Sequence, residues 1–166
     1  MKKVIISDTT ALIILAKTNH LELLTNLIDK VYVPSAVMEE IGYKNDEVKY
    51  IIEQSTFIEM KKITNQSILK EVKLSNLDRG EVEAISLALE NDLSLIIDER
   101  LGRRYAESKG VKIIGLLGIL KANLVKEYIS YVDLLYILNE FKGVKFRISA
   151  RLEENFLRSL SDYNRN

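Results

Sequence analysis

The chain of 166 residues contains no cysteine, one histidine (His20), one proline (Pro34) and no excess of either charge, with 24 Lys plus Arg against 24 Asp plus Glu. The missing cysteine excludes disulfide frameworks, thiolate zinc sites and cysteine nucleophiles. With a single histidine, a histidine-rich metal centre and the usual Ser-His hydrolase arrangement are hard to build. Oxygen ligands remain, so any metal would be held by carboxylates. The charge balance removes the global basic field that advertises many nucleic-acid binders; an anionic partner must be caught by a local patch. Long apolar runs are missing too, because nothing approaches the roughly 20 residues of a membrane span. Asp8 interrupts the basic-then-apolar opening MKKVIISDTTALIILAK, which reads as a strand and a helix rather than a leader. A cytoplasmic protein without membrane contact is expected.

Hydrophobic residues make up 47% and charged residues 29%, both ordinary for a globular chain, and the length suits one domain. That domain is expected to span 1–166, with a helical C-terminal segment over about 127–166. Val4 to Ile6 form a short β-branched run that ends at Ser7 and Asp8, and ALIILAK then suits a helix. Leu21 to Ile28 recur at mixed helical spacing. Val31 to Val33 read as a second strand stopped by Pro34, and a helix opens near Ser35. Val48, Ile51 and Ile52 mark a further helix, and Phe57 to Ile63 alternate like a half-buried strand. Asp78 and Glu81 have the spacing of a capping box before a helix through Val82, Ile85 and Leu89. Leu95 to Ile97 form a buried strand that ends in acid, as the first does. A helix from Arg103 to Lys109, a strand from Val111 to Ile114 and a helix from about Leu116 follow; two more helices, separated by Gly143, close the chain. No segment repeats. Strands alternating with helices imply an α/β fold with a mainly parallel sheet covered on both faces.

In such sheets ligands sit at the carboxyl ends of the strands, where the strand order reverses. Asp8 and Asp98 stand at two such ends. Glu40 and Glu81 are expected in the first turns of their helices, and Glu99 follows Asp98. Two carboxylates about 5 Å apart repel by roughly 3 kcal/mol at an effective dielectric near 20, so such a cluster attracts a cation or a proton. Oxygen-only ligation selects Mg²⁺ or Mn²⁺, which can support hydrolysis of a phosphodiester. Each acid also has a plainer reading: Asp8 as a helix N-cap, Glu81 as half of a capping box, Glu40 as an exposed helix face, and DERLGRR as a surface turn. The joint pattern is what argues for chemistry.

The segments VIISDTTALIILAK, VYVPSAVMEEI, LDRGEVEAISLAL and LIIDERLGRRYAESKGVKIIG, in that order, resemble a PIN domain. The resemblance is nearest to a PIN-like branch carrying GE-x-EAI and GRR motifs, and the late VKFRISARL is similar to that branch's C-terminal segment. It implies a three-layer α/β/α sandwich with a parallel sheet of about five strands in the order 3-2-1-4-5, and a metal-dependent endoribonuclease. It puts the acids at Asp8, Glu40, Glu81 and either Asp98 or Glu99, with Mg²⁺ or Mn²⁺ as cofactor and Thr9 or Thr10 beside the metal. It further implies RNA as substrate and, as in the toxins of type II toxin-antitoxin pairs, an antitoxin partner; homodimers are common in the family. The third acid in most toxins is Asp, where this chain has Glu81. The Thr common two residues before the last acid is here Ile97.

RNA needs cations near the acids, and Arg100, Arg103 and Arg104 are the first candidates, with Arg79, Lys109 and Lys112 behind them. Tyr105 is the one aromatic placed to stack on a base; Tyr32 and Phe57 are expected in the core, and His20 on a helix surface without a role. The alternative function is a PIN scaffold that binds RNA or a protein without useful hydrolysis. An aspartate phosphotransferase is weaker, because Asp8-Thr9-Thr10 lacks a second Asp two residues on. No Walker loop or GxGxxG fingerprint is present.

Overall fold

The computed structural model describes residues 3–164; residues 1, 2, 165 and 166 of the expected domain lie outside them. Strand β1 (Val4–Ser7) runs at the centre of a five-stranded sheet with β2 (Lys30–Val33), β3 (Ile58–Met60), β4 (Ser94–Ile96) and β5 (Ile113–Ile114). The order is β3-β2-β1-β4-β5 and each pairing is parallel, with Ile5 opposite Val31 on one side and Ser94 on the other. Neighbouring residues of one strand point to opposite faces, and this chain uses both faces. Ile5, Val31, Val33 and Ile96 enter one apolar cluster, whereas Ile6, Leu95 and Ile97 enter another. Helices therefore cover the sheet on both sides, and the strands are apolar throughout.

Helices α1 (Thr9–Lys17), α3 (Ser35–Lys44) and α4 (Asp46–Gln54) contribute Leu12, Leu15, Val37, Ile41 and Val48 to the first cluster. The short α2 (Glu22–Thr25) sits between α1 and β2. Helices α8 (Leu116–Val125), α9 (Tyr131–Gly143) and α10 (Ala150–Arg158) complete that side. The second face is covered by α6 (Arg79–Asn91), by α7 (Arg100–Ser108) through Ala106, and by α5 (Gln66–Lys73) through Val72.

Several boundaries differ from those read in the sequence. Helix α2 is one turn, although Leu21 to Ile28 all carry helical spacing. Helix α5 is additional to the expected elements, and α7 starts three residues early because Glu99 caps it. The strand expected over Val111 to Ile114 keeps only its last two residues, since the Val111 N–H donates to Ala106 O and closes α7 instead of joining the ladder. His20 is not a surface residue: its ring lies between Glu22 (3.0 Å) and Glu140 (2.6 Å), edge-on to Phe141, and is 17% exposed.

Strand order reverses between β1 and β4. Their carboxyl ends open one crevice, with α1 leaving toward one face and α7 toward the other.

Candidate active site

Asp8 is the residue that follows β1. Its backbone is extended and its N–H donates to Ile96 O (3.0 Å), so the sheet ladder itself fixes the side chain at the head of α1. There Oδ1 accepts from Ala11 N (3.1 Å), making Asp8 an N-cap in line with the plainer reading. It is also buried, at 4% exposure. Burial first, then the Asp98 charge and more weakly Glu81, push its carboxyl up to about 8 against the N–H groups of Ala11 and Asp98. Asp98, beyond β4, accepts from Leu116 N (3.1 Å to Oδ2) at the start of α8. Burial raises it as well, opposed by that N–H and by Arg103.

Glu81 occupies the third position of α6, and the capping box is present: its N–H donates to Asp78 Oδ1 (2.8 Å), and Asp78 N–H donates to Glu81 Oε2 (3.3 Å). Cap and site residue are not alternatives, because the second oxygen, Oε1, is buried without a hydrogen-bond partner. Burial, then Asp78 and Glu99, push this carboxyl up to about 7. Gly102 makes the room: a Cβ there would stand 3.0 Å from Glu81 Oε1 and 2.6 Å from Ile97 Cδ1. Glu99 is exposed and caps α7, accepting from Leu101 N (2.7 Å) and Gly102 N (3.0 Å). Of the pair, Asp98 acts by its charge on Asp8 and Glu99 on Glu81.

Glu40 lies in the second turn of α3, not the first as expected, because the helix opens at Ser35. It accepts from Thr9 Oγ1 (2.7 Å) and pairs with Lys44. Burial pushes its carboxyl up, but Lys44 and Thr9 outweigh that and hold it below the ordinary value. Thr9 is buried and thus joins Glu40 to the Asp8 turn, whereas Thr10 is exposed.

Asp8, Asp98, Glu81 and Glu99 therefore interact in pairs around the crevice, with Glu40 attached through Thr9. Among the described residues, no three acidic or imidazole groups are arranged to share one metal ion. The donor chemistry nevertheless suits a hard divalent cation: every candidate ligand is a carboxylate oxygen, one is orphaned, and buried neighbours repel.

Arg100, Arg103 and Arg104 line one cavity with Asp98, and Arg103 also donates to Ile97 O (3.1 Å). The other candidates, Arg79, Lys109 and Lys112, do not gather there. Arg79 pairs with Glu39 and Glu83, and Lys109 pairs with Glu71. Lys112 precedes β5 and lines a recess with Lys3 and Ser94, at the amino ends of the strands. Tyr105 packs against the second cluster under Lys109, while Tyr32 and Phe57 are part-buried against the core as expected. Sequence reasoning missed Glu83, whose carboxylate accepts from Ala36 N (2.9 Å) and ties α6 to the start of α3. It also missed the spacing roles of Gly102 and Gly115; glycines inside or opening helices were the available signal.

A parallel sheet ordered 3-2-1-4-5, with acids on the carboxyl ends of its neighbouring strands β1 and β4, is the arrangement of a PIN fold. The family model DUF3368, described as a PIN domain, matches residues 4–162, and the chain belongs to that family, whose members are typically nucleases. Among solved structures it is similar to a PilT N-terminus domain protein from the hyperthermophilic archaeon Sulfolobus solfataricus P2. That likeness has a TM-score of 0.52 at 17% identity and covers 73% of this chain and 93% of the other, which supports the shared fold. No curated protein matches the chain. Among the described residues no helix is long and apolar enough to cross a membrane.

Proposed function

We propose that the protein is a metal-dependent endoribonuclease acting at the β1/β4 crevice. The observation that carries this reading is the buried Asp8, coupled by charge to the half-buried Asp98, beside the unpartnered Glu81 Oε1. Asp8 and Asp98, with Glu81 and Glu99 adjoining, would hold Mg²⁺ or Mn²⁺. When bound, such an ion lowers the pKa of its water and offsets charge on the phosphate oxygens. The chain's own groups supply the rest. Thr9 is held by Glu40 and fixes the turn that aims Asp8. Arg103 stands beside Asp98 to meet a phosphate oxygen. Glu81 Oε1, which has no hydrogen-bond partner of its own, receives a proton from the attacking water as its oxygen bonds to phosphorus, and the leaving sugar oxygen departs with a proton from solvent.

Asp8→Asn tests the assignment. Cleavage of single-stranded RNA by the purified protein in Mn²⁺ is expected to fall by at least about 10²-fold, with the circular dichroism of the parent retained. Equal rates in the two proteins would overturn it.

One observation favours a second reading, a PIN scaffold that binds without hydrolysing: no three acids share an ion-sized space among the described residues. Calorimetric titration with Mn²⁺ separates the two. Specific binding that Asp8→Asn removes supports the nuclease, and absence of binding supports the scaffold.

A further inference from the structure

The cavity that begins at Asp98 extends well beyond the acids. It has a volume of about 670 Å³, inside the range of roughly 300–1,000 Å³ that holds a small organic ligand. Arg100, Arg103 and Arg104 of α7 form one wall. The opposite wall comes from the segment between α9 and α10 and from α10 itself: Arg147, Leu152, and the buried Phe146 and Phe156. Two features set these arginines apart. Arg79 and Arg158 are paired with glutamates, as are Lys30, Lys44, Lys109 and Lys142. Among the described residues, none of the four cavity arginines has a carboxylate within salt-bridge distance, although Asp98 and Glu107 also line the space. Of the five described arginines without a carboxylate partner, four therefore line one recess, and the fifth, Arg151, lies outside it. The second feature is the apolar side of that recess, where Leu152 is 51% exposed over the phenylalanines.

Guanidinium groups on a rim suit phosphate oxygens, and an apolar floor suits the face of an unstacked base. We propose that this cavity is a nucleotide subsite for single-stranded RNA, in which Arg147 and the α7 arginines hold the phosphates and Leu152 lies against the base of a nucleotide adjoining the Asp98 end. Duplex RNA is excluded, since its bases are stacked and paired and none can enter the recess. The inference rests on the nuclease reading for its substrate, but binding requires no hydrolysis.

The test is fluorescence anisotropy of a short fluorescein-labelled oligoribonucleotide of mixed sequence, with the full chain in EDTA. Arg147→Gln is expected to weaken binding several-fold and to reduce the slope of log affinity against log salt by about 0.7, the loss of one phosphate contact on a single strand. Leu152→Ser is expected to weaken binding with the slope unchanged, because a base contact releases no counterion. Arg151→Gln, on the same helix but outside the cavity, is expected to bind as the parent does. All three positions are exposed, and thermal melts check that each variant folds. Binding by Arg147→Gln and Leu152→Ser equal to the parent's would overturn the subsite, as would a loss by Arg151→Gln of the same size. Equal or tighter binding of the annealed duplex would overturn the single-strand assignment. Binding as expected without cleavage in Mn²⁺ would keep the subsite and remove the nuclease; cleavage with both variants binding normally would do the reverse.

Discussion

A Cβ on Gly115 would stand 2.6 Å from Asp98 Oδ1 and 2.8 Å from the Arg103 guanidinium, closer than real side chains approach. Gly115→Ala therefore has to move Asp98 off the Leu116 N–H or push Arg103 out. Overpacking of this kind costs about 1–3 kcal/mol, which a urea melt would read. Cleavage in Mn²⁺ is expected to fall further, by about 10²-fold, because a displacement near 1 Å is enough to spoil a reacting geometry. A variant that loses stability but keeps the parent's rate would show that Asp98 is a helix cap alone. Other residues show what the sequence could carry at this scale. Asp8 and Asp98 were legible because each follows a buried apolar run, and the chain must end a strand there. The choice of Thr9 over Thr10 was not, since it depends on which side of α1 faces Glu40, 31 positions away. Arg79 looked free for RNA, but its partner Glu39 is 40 positions distant and became visible only when α3 and α6 packed together.

A second bond joins those two helices beside that ion pair. Glu83, in the second turn of α6, accepts from Ala36 N (2.9 Å) at the start of α3, whose own N-cap position is Pro34 and offers no side-chain acceptor. Glu83→Ala leaves that N–H without its partner and is expected to lower stability by about 1–2 kcal/mol in urea unfolding. Glu40 rides on α3, so its bond to Thr9 should loosen too, and the Thr9 methyl and amide resonances are expected to shift. An unchanged midpoint would show that water caps α3 equally well. Elements with their own signals were readable: the Asp78–Glu81 box announced α6, and the β-branched run announced β1. Helix α5 carries weaker signals, namely the Asn65 cap, which accepts from Ser67 N and Ile68 N, and apolar Ile68, Leu69 and Val72 on a helix of only eight residues. The short strands were less readable, because their ends are set by neighbours. Phe57 to Ile63 alternate like a longer strand, yet the ladder with β2 closes at the Lys61 N–H bond to Val33 O.

The formal charges of the whole chain cancel, but titrating groups are sorted by place, and this fixes how stability should vary with pH. Glu59, held by Lys30, and Asp133, held by Ser130, lie below the ordinary carboxylate range. Their stabilising contributions are present above the unfolded values and lost as pH falls toward the folded ones; both are exposed, so the contributions are small. The crevice has the opposite sign. Asp8, Glu81 and Asp98 are raised, so between about pH 4 and their folded values the native state binds more protons than the unfolded chain, and stability falls as pH rises. His20 adds to this trend. Burial works against its charge, but Glu140 and then Glu22 outweigh burial and raise it, so its contribution is full below 6.5 and lost as pH climbs through the folded value. In EDTA the protein is therefore expected to be most stable near pH 4 and to lose a few kcal/mol by pH 8, since a tenfold change in a group's proton affinity on folding is worth about 1.4 kcal/mol. Urea midpoints across that range measure it. Asp8→Asn should remove the Asp8 share of the decline and leave those of Glu81, Asp98 and His20. Mn²⁺ at a hundredfold excess over its Kd should restore about 2.7 kcal/mol to the parent at pH 8 and nothing to the variant. A level profile in EDTA would mean that Asp8 ionises in the fold without penalty, and the crevice would then have no electrostatic need for a cation.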